Sequence, residues 1–423
     1  MANAPTAVQA GTSGQSDLKS VNDFYVPACR VLLKGKLVPE LQQYIQSVTF
    51  HDSLTDVDSV DLVVDNWNPG IPVAGQAVKG SFRFHNTNTF DPWQDIEVFM
   101  GYYRNGKDAL EQMMVGEIVS MSPSFPASGP STLSVRALDM LHQFRTQQKT
   151  RQFHDITDSE IAQKIVNDIN EDVKKKLQNI EIVMDPKEVS ANKAHEDKVP
   201  FLEMHNQYPI VFLIQRSRDI GYDISIKDKT DKTTKKRTVT FHYRSSASVL
   251  RPAYVLEWGK SLISFQPTLQ TAKQVNSITV KGWNVQTKQP ISETATRADL
   301  VAKGEKVIAP EDLGVTENTL SQKLEIVADR GFKNPQDAKR TAEKTLRQLA
   351  QGLVVAKGKT IGLPDLRAGS KVNIYLYPSK SPPPPPPKDR FSGTYQVTET
   401  THTFNEGGYT TDFTARMEPP LAS

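Results

Sequence analysis

The stretch that decides the fold class is Phe391-Ser-Gly-Thr-Tyr-Gln-Val-Thr-Glu-Thr-Thr-His-Thr-Phe-Asn-Glu-Gly-Gly-Tyr-Thr-Thr-Asp-Phe-Thr-Ala-Arg416. Large residues alternate with polar ones in both of its halves, which is the period-two pattern of half-buried strands. The turn is supplied by Asn405-Glu-Gly-Gly408, because glycine adopts positive φ without steric cost. The stretch therefore predicts a β-hairpin whose buried face carries Tyr395, Val397, Tyr409 and Phe413.

A rougher copy of this pattern occurs upstream. A loop rich in Pro, Ser and Gly separates two short candidate strands there, Val115-Gly-Glu-Ile-Val119 and Leu133-Ser-Val-Arg-Ala137. A strand of large residues precedes each copy of the pattern: Ile96–Tyr102 precedes the upstream copy, and Val372–Tyr377 precedes the closing hairpin. Each last strand carries an arginine near its end, Arg136 or Arg416, and Ser47–Phe50 and Ser277–Val280 are the candidate matching first strands. The order of elements predicts two similar β modules in one chain.

The two β regions flank a mixed segment. Thr157-Asp-Ser-Glu160 is a capping box that predicts a helix, a second helix is predicted from Pro209 to Gly221, and a third begins at Pro335. The fold class is thus β-rich α+β, with two similar antiparallel β-barrel domains and a mixed α/β insert. The predicted divisions are a flexible arm over 1–23, a first barrel over 24–140, an insert over 141–254, the second barrel over 255–290 and 357–418, and a polar segment with a helix packed on that barrel over 291–356.

The composition of the chain excludes several classes of protein. The 423 residues are 37% hydrophobic and 23% charged with a formal charge of +3, which is neither a disordered chain nor a strongly basic nucleic-acid binder. The single cysteine, Cys29, rules out an internal disulfide and multi-cysteine metal clusters, and is predicted to be a buried small residue. No secretory signal and no membrane-spanning run is recognisable, so we expect no specific nucleic-acid recognition, no transmembrane segment and no export by Sec.

The sequence carries no recognisable catalytic, cofactor-binding or metal-binding residues. No phosphate loop, dinucleotide turn, Gly-x-Ser-x-Gly elbow or zinc motif occurs among the 423 residues. The pairs His51-Asp52 and His154-Asp155 are adjacent in sequence, so on a strand their side chains face opposite sides; they are interpreted as surface histidines beside turn or cap aspartates. The four tryptophans are interpreted as core or interface anchors, namely Trp67, Trp93, Trp258 and Trp283.

Several separated motifs resemble one family. Leu133–His142 followed by Phe153–Ala162 is similar to the junction of first barrel and insert in the phage late control protein D family, the baseplate hub of contractile tails, and the hub portion of type VI spike proteins. Tyr208–Asp223 looks like its helix leading to a Gly-Tyr strand, and Leu256–Phe265 with Val280–Trp283 resembles the entry into its second barrel. The closing hairpin resembles its C-terminal signature.

The resemblance implies a homotrimer, since two barrels per chain would give a pseudo-hexameric ring that joins a sixfold tail tube to a threefold spike. Implied partners are further copies of the chain, a separate spike protein, the tail tube protein and other baseplate proteins. No cofactor is implied. The particle would assemble in the bacterial cytoplasm and become part of a virion tail or contractile injection machine. Within such a ring, the polar side chains of the hairpin and of its upstream copy are candidates for the lumen or a subunit interface: Thr410, Asp412, Thr414, Arg416 and Arg136.

Two features depart from the family pattern. The chain ends at Ser423, so a spike needle is expected to be another polypeptide, and the run Pro382 to Pro387 has no counterpart. That run is interpreted as an exposed polyproline loop, within 380–390, with recruitment of a proline-binding partner as the alternative. The alternative function for the whole chain is a tail-tip enzyme that degrades cell wall or polysaccharide.

Overall fold

The structure is a computed structural model that describes residues 8–9, 26–70, 80–104, 107–176, 180–194, 196–230, 236–245, 252–272, 274–284, 287–302, 308–315, 323–327, 335–377 and 389–419. The arm predicted over 1–23 lies outside these residues except for Val8–Gln9, and so does the run Pro382 to Pro387.

The described strands are β1 (Val8–Gln9), β2 (Val26–Leu33), β3 (Lys36–Leu37), β4 (Ile45–Ser53), β5 (Ser59–Asp65), β6 (Trp67–Asn68), β7 (Ser81–Phe82), β8 (Asp95–Arg104), β9 (Lys107–Ser124), β10 (Thr132–Asp139), β11 (Lys149–Ile156), β12 (Ile180–Val183), β13 (Val199–Gln207), β14 (Tyr222–Thr230), β15 (Arg237–Ser245), β16 (Tyr254–Glu257), β17 (Leu262–Leu269), β18 (Ser277–Trp283), β19 (Pro290–Thr296), β20 (Lys323–Val327), β21 (Val354–Ile361), β22 (Lys371–Tyr375), β23 (Gly393–Asn405) and β24 (Gly408–Glu418). The helices are α1 (Pro39–Tyr44), α2 (Asp158–Lys176), α3 (Pro186–Lys193), α4 (Pro209–Ile220), α5 (Arg297–Ala302) and α6 (Pro335–Gln351).

One large sheet of 14 strands dominates the fold. Its neighbours are antiparallel except for β16 and β22, which run parallel. Six helices and four smaller sheets accompany it among the described residues, so the chain has the β-rich α+β class predicted from the sequence.

The large sheet contains the same order of strands twice. We call β4-β5-β10-β9-β8-β2 the first unit and β17-β21-β24-β23-β22-β16 the second unit. Both units contain three consecutive antiparallel strands, β8-β9-β10 and β22-β23-β24, as the repeated sequence pattern predicted. The units are joined directly, because β4 of the first pairs with β23 of the second.

Each unit has its own apolar core. The core of the first unit gathers residues such as Phe50, Leu62, Met100 and Leu133, and that of the second gathers Leu256, Val372, Tyr395 and others. Burial of each such side chain contributes roughly 1.5–3 kcal/mol relative to its exposure to water, so both cores contribute to the stability of the fold.

The two helices predicted between the β regions are present. The amide of Thr157 donates to Glu160 at 3.1 Å and the amide of Glu160 donates to the Thr157 hydroxyl at 3.4 Å, which is the capping box at the start of α2. Helix α4 begins at Pro209 and ends at Ile220, and it is capped by Gly221, whose φ of +76° is the left-handed conformation that glycine favours. Helices α2, α3 and α4 pack with the sheet β12-β15-β14 and the pair β11-β13 around a third core.

One predicted correspondence is wrong. Ser277–Val280, expected to match Ser47–Phe50, lies in β18, which belongs to a separate sheet β19-β18-β20 rather than to the large sheet. Helix α6 packs Ala338, Ala342 and Leu346 on this small sheet, although it was expected on the second barrel. The period-two pattern identified β18 as a strand, but it carries no information about which edge the strand joins.

Candidate functional site

The two joined units present one continuous polar face. Along β4, β5, β10, β21 and β24 buried residues, mostly apolar, alternate with half-buried or exposed ones that are mostly polar, because successive side chains of a strand point to opposite faces. We call the side of these strands that carries the half-buried or exposed residues the polar face. It crosses the β4·β23 junction, where the strands pair without a break from Ser47 to Ser53. Hydroxyl residues and opposite charges occupy it.

Two ion pairs occupy equivalent places on the polar face with their charges exchanged. Arg136 lies opposite Asp61 on the neighbouring strand, with Nη1 3.4 Å from the carboxylate. In the second unit Asp412 lies opposite Lys359, at 3.0 Å. Arg136 and Asp412 are each the fifth residue of the last strand of their unit. Each pair brings one positive and one negative side chain to this face.

The residues predicted to border a lumen or interface fall into two environments. Thr410, Asp412, Thr414 and Arg136 lie on the polar face, and the side chains of Asp412 and Arg136 are 45% and 51% exposed. Arg416 is 15% exposed, and its Nη2 lies 3.5 Å from Asp223 of β14. Its guanidinium also donates to Gln396 and to Gln351. Arg416 thus joins the second unit to the sheet β12-β15-β14 of the same chain.

The residues predicted to fill a barrel are all buried, but in two different cores. Tyr395, Val397 and Phe413 lie in the core of the second unit. Tyr409 lies in the core of the first unit, where its ring centroid is 5.8 Å from that of Tyr102. The strand β24 therefore contributes one aromatic residue to each core.

The junction of the units encloses an ionic cluster that the sequence did not reveal. Arg367, in the turn between β21 and β22, donates to Asp52 of β4 at 2.5 Å and to the carbonyl of Met113 at 3.0 Å. Its Nη2 is 3.8 Å from Asp58. Burial, and then the neighbouring Asp52 and Asp139, raise the pKa of Asp58 well above its ordinary value, although Arg367 acts in the opposite direction. Asp52 was interpreted as a turn or cap residue, and that interpretation is wrong.

His402 of β23 is fully buried beside this cluster. Its Nε2 lies 3.0 Å from the carbonyl of Leu366, which can only accept, so Nε2 carries the proton. Nδ1 then accepts from the Tyr409 hydroxyl at 2.9 Å or from Thr411 at 3.1 Å. Burial lowers the pKa of His402 to about 3. The imidazole is neutral and serves as a hydrogen-bonded part of the junction.

The remaining candidates for chemistry are separated in space from one another. His51 contacts Thr401 and Asp61 on the polar face, whereas Asp52 turns into the junction. His154 packs on Phe201, and Asp155 has a φ of +47°. Cys29 packs against the core of the first unit, and burial raises the pKa of its thiol to about 12. None of these arrangements pairs a nucleophile with a base.

A cavity of about 140 Å³ lies in the middle region between Lys149, Asp172, Val173 and Pro209. Ligand sites usually measure about 300–1,000 Å³, so this cavity fits water or a small ion rather than a metabolite. Within the described ranges, no group of three or more His, Cys, Asp or Glu side chains is placed to hold a metal ion. Over the same ranges, no helix has both the length and the hydropathy to span a bilayer.

The four tryptophans are all exposed. The exposed fractions of Trp67, Trp93, Trp258 and Trp283 are 36%, 70%, 58% and 51%. These residues were interpreted as core or interface anchors; the core alternative is wrong, and the interface alternative stays a prediction. Trp67 forms edge contacts with Phe82, which in turn contacts Phe125 just after β9. Large exposed aromatic groups of this kind are enriched at protein interfaces.

Comparison with solved structures identifies the architecture. The 43 kDa tail protein of prophage MuSo2 from Shewanella oneidensis superimposes with a TM-score of 0.58 at 12% identity, over 92% of this chain and 98% of that one. The tail protein from Neisseria meningitidis MC58 gives a TM-score of 0.58 at 11% identity, over 93% and 97% of the two chains. The chain has the fold of phage tail proteins. The resemblance inferred from the sequence motifs is confirmed at this level.

Comparison of sequences adds less. The family model described as Alg8 N-terminal domain matches residues 27–185, which is less than half of the chain. No curated protein matches the sequence significantly. The low identity to the two tail proteins means that the fold is shared, while particular residues are not transferable.

Proposed function

We propose that this chain is a structural hub protein of a contractile tail, which assembles as a homotrimer and adapts a sixfold tube to a threefold central spike. The single observation that carries the proposal is the repeated order of six strands, fused through β4·β23 into one sheet. A chain that already places two similar units side by side provides six units when three copies meet around an axis. The shared fold with two tail proteins supports the same role.

We treat each six-strand unit as a barrel-like ring segment and keep the predicted domain divisions, except that β18 and helix α6 belong with the separate sheet β19-β18-β20 rather than with the second barrel. The polar face then borders the lumen or a subunit contact, with Thr410, Asp412, Thr414 and Arg136 among its residues. Arg416, predicted for the same role, is instead engaged with Asp223 inside the chain. The presence of both signs of charge, in the pairs Arg136–Asp61 and Lys359–Asp412, suits a passage that does not retain its contents, because a wall of one sign would bind an oppositely charged chain. The partners are the tube protein, the spike and other baseplate proteins, and the role is mechanical rather than catalytic.

Native mass measurement of the purified chain, alone and with a candidate spike protein, tests this function. We expect three copies per particle in at least one of these settings. A strict monomer in both would overturn the homotrimer and with it the hub. A zymogram on bacterial cell walls supplies the contrast with a degrading enzyme, since clearing by the purified chain is expected only from such an enzyme.

A further inference from the structure

Each unit has a strand that forms the junction and a strand that receives it, and within the described residues only one such contact is made. In the first unit β4 is the joining strand, and its outer edge pairs with β23 of the second unit. The joining strand of the second unit is β17, which pairs with β21 alone among the described strands. The receiving strand of the first unit is β9, whose end from Ser120 to Ser124 pairs on one side, with β10.

The registers show which residues of the two junctions are equivalent. Counted from the hairpin turn, Asn405 and Ser124 are the last residues of β23 and β9. Thr403 therefore corresponds to Ser122, and Thr401 to Ser120. Asp61 and Lys359 hold equivalent places on the polar face. On the joining strands, Thr49 lies opposite Asp61 and Ser264 lies opposite Lys359. Thr49 thus corresponds to Ser264, and His51 to Gln266.

The internal junction supplies the pairing between these positions. Thr49 pairs with Thr403, Phe50 with His402, and His51 with Thr401. Transferring the register pairs Ser264 with Ser122, Phe265 with Met121, and Gln266 with Ser120. The hydrogen bond of 3.1 Å between His51 and Thr401 has a polar equivalent in an amide facing a hydroxyl.

The two free edges match in their faces. Phe265 is half-buried against the core of the second unit, and Met121 is half-buried against that of the first. Ser264 and Gln266, like Ser120 and Ser122, are exposed. The transferred register therefore places the Phe265 ring beside the Met121 thioether on the core side, and the hydroxyl and amide groups together on the polar face. A register shifted by one residue would instead place apolar side chains opposite polar ones.

Prolines limit how far the edges can pair. Pro123 and Pro267 each lack a backbone donor, so the ladder is confined to about three positions between them. Prolines on edge strands also discourage pairing with unrelated chains. Ile263 and Phe125, 52% and 58% exposed, lie just beyond one end of this window, where cover by another chain would remove apolar surface from water.

We infer that the edge Ser264–Gln266 of one copy pairs antiparallel with the edge Ser120–Ser122 of the next, so that the large sheet continues from copy to copy. This inference rests on the proposed function and names the surface that closes its ring. The occupant is a second copy of this chain, because the same contact already joins the two units within one chain. Since each copy has one edge of each kind, the contacts run head to tail and can close into a ring.

Disulfide cross-linking tests the register in the full chain. In a Cys29→Ala background, the matched pairs are Ser264→Cys with Ser122→Cys and Gln266→Cys with Ser120→Cys. The offset control, Ser264→Cys with Ser120→Cys, keeps both cysteines on the same face but two residues out of register. A disulfide needs Cα atoms about 4.4–6.8 Å apart, so we expect the matched pairs to cross-link on the order of tenfold faster than the offset pair, into covalent trimers and nothing larger.

The outcomes separate this inference from the proposed function. A particle that is trimeric by native mass but cross-links only in the offset pair, only within single chains, or not at all would overturn the edge pairing and leave the hub standing. A chain that stays monomeric would overturn both. Single-cysteine variants control for disulfides that form outside the particle.

Discussion

Arg367 Nε lies 2.5 Å from Oδ2 of Asp52, and this contact joins a turn of the second unit to a strand of the first. The same carboxylate oxygen accepts from the amide of Ala368 at 3.0 Å. The Arg367 guanidinium carbon also lies 4.6 Å above the ring of Phe50. The union of the two units therefore depends on buried charge as well as on the β4·β23 pairing.

Replacement of Arg367 is expected to destabilise the junction strongly. Arg367→Gln leaves the Asp52 carboxylate, which is 6% exposed, without its cation. Breaking a buried pair by removing one partner typically costs about 3–5 kcal/mol, because a charge remains in a poorly solvating site. Urea unfolding at neutral pH measures the effect as a lower free energy of unfolding.

The matched control is Arg136→Gln, which removes an arginine from an ion pair on the polar face. Arg136 is 51% exposed and its partner Asp61 38%. Exposed pairs contribute about 0–1 kcal/mol, so this variant should unfold close to the parent. Equal losses in the two variants would contradict the assignment of Arg367 to the junction.

Asp58→Asn is expected to remove a pH-dependent loss of stability. Burial raises the pKa of Asp58 in the folded chain. The folded state then holds a proton that the unfolded chain releases, so stability falls as pH rises from the ordinary carboxyl range through the raised pKa. Asparagine stays neutral and can still accept from the Ser53 amide, as Asp58 does at 3.1 Å. Thermal unfolding measured across pH should show the melting temperature of the variant rising relative to that of the parent toward alkaline pH. Parallel profiles of melting temperature against pH would argue against a raised pKa of Asp58.

His402 should act in the opposite direction. Burial lowers its pKa to about 3, below the ordinary value of 6.5. Between these values the unfolded chain binds a proton that the folded chain refuses, so stability is full above the ordinary pKa and falls as pH drops toward 3. In His402→Gln, the same acid titration followed by melting temperature should have a shallower slope. A steeper slope in the variant would show that His402 is protonated in the folded junction.

Local patterns predicted much of the fold. The alternation in Phe391–Arg416 predicted β23 and β24, the capping box predicted α2, and Pro209 with Gly221 predicted the limits of α4. These signals depend on neighbours within a few residues, where steric and hydrogen-bonding preferences act directly.

The sequence predicted less well which strands become neighbours and which distant residues come into contact. Nothing in Ser277–Val280 distinguishes a strand of the large sheet from one in β18, since both alternate in the same way. Likewise Asp52 and Arg367 are 315 residues apart, and their pairing arises only when β4 meets β23. Sequence could have hinted at the junction through one signal alone: an aspartate at a core-facing position of β4, where the alternation predicts an apolar side chain.

Gly358→Ala tests the packing between β21 and β24. A Cβ at Gly358 would lie 2.3 Å from the ring of Phe413, which is buried in the core of the second unit. The ring must move to admit the methyl group, and overpacking of this kind costs about 1–3 kcal/mol. Gly352→Ala is the control, because there the nearest atom to a new Cβ is 3.4 Å away. Chemical unfolding should show a clear loss for Gly358→Ala and little change for Gly352→Ala. If Phe413→Leu restores the stability of Gly358→Ala, the loss comes from this contact, whereas additive losses in the double variant would place its cause elsewhere.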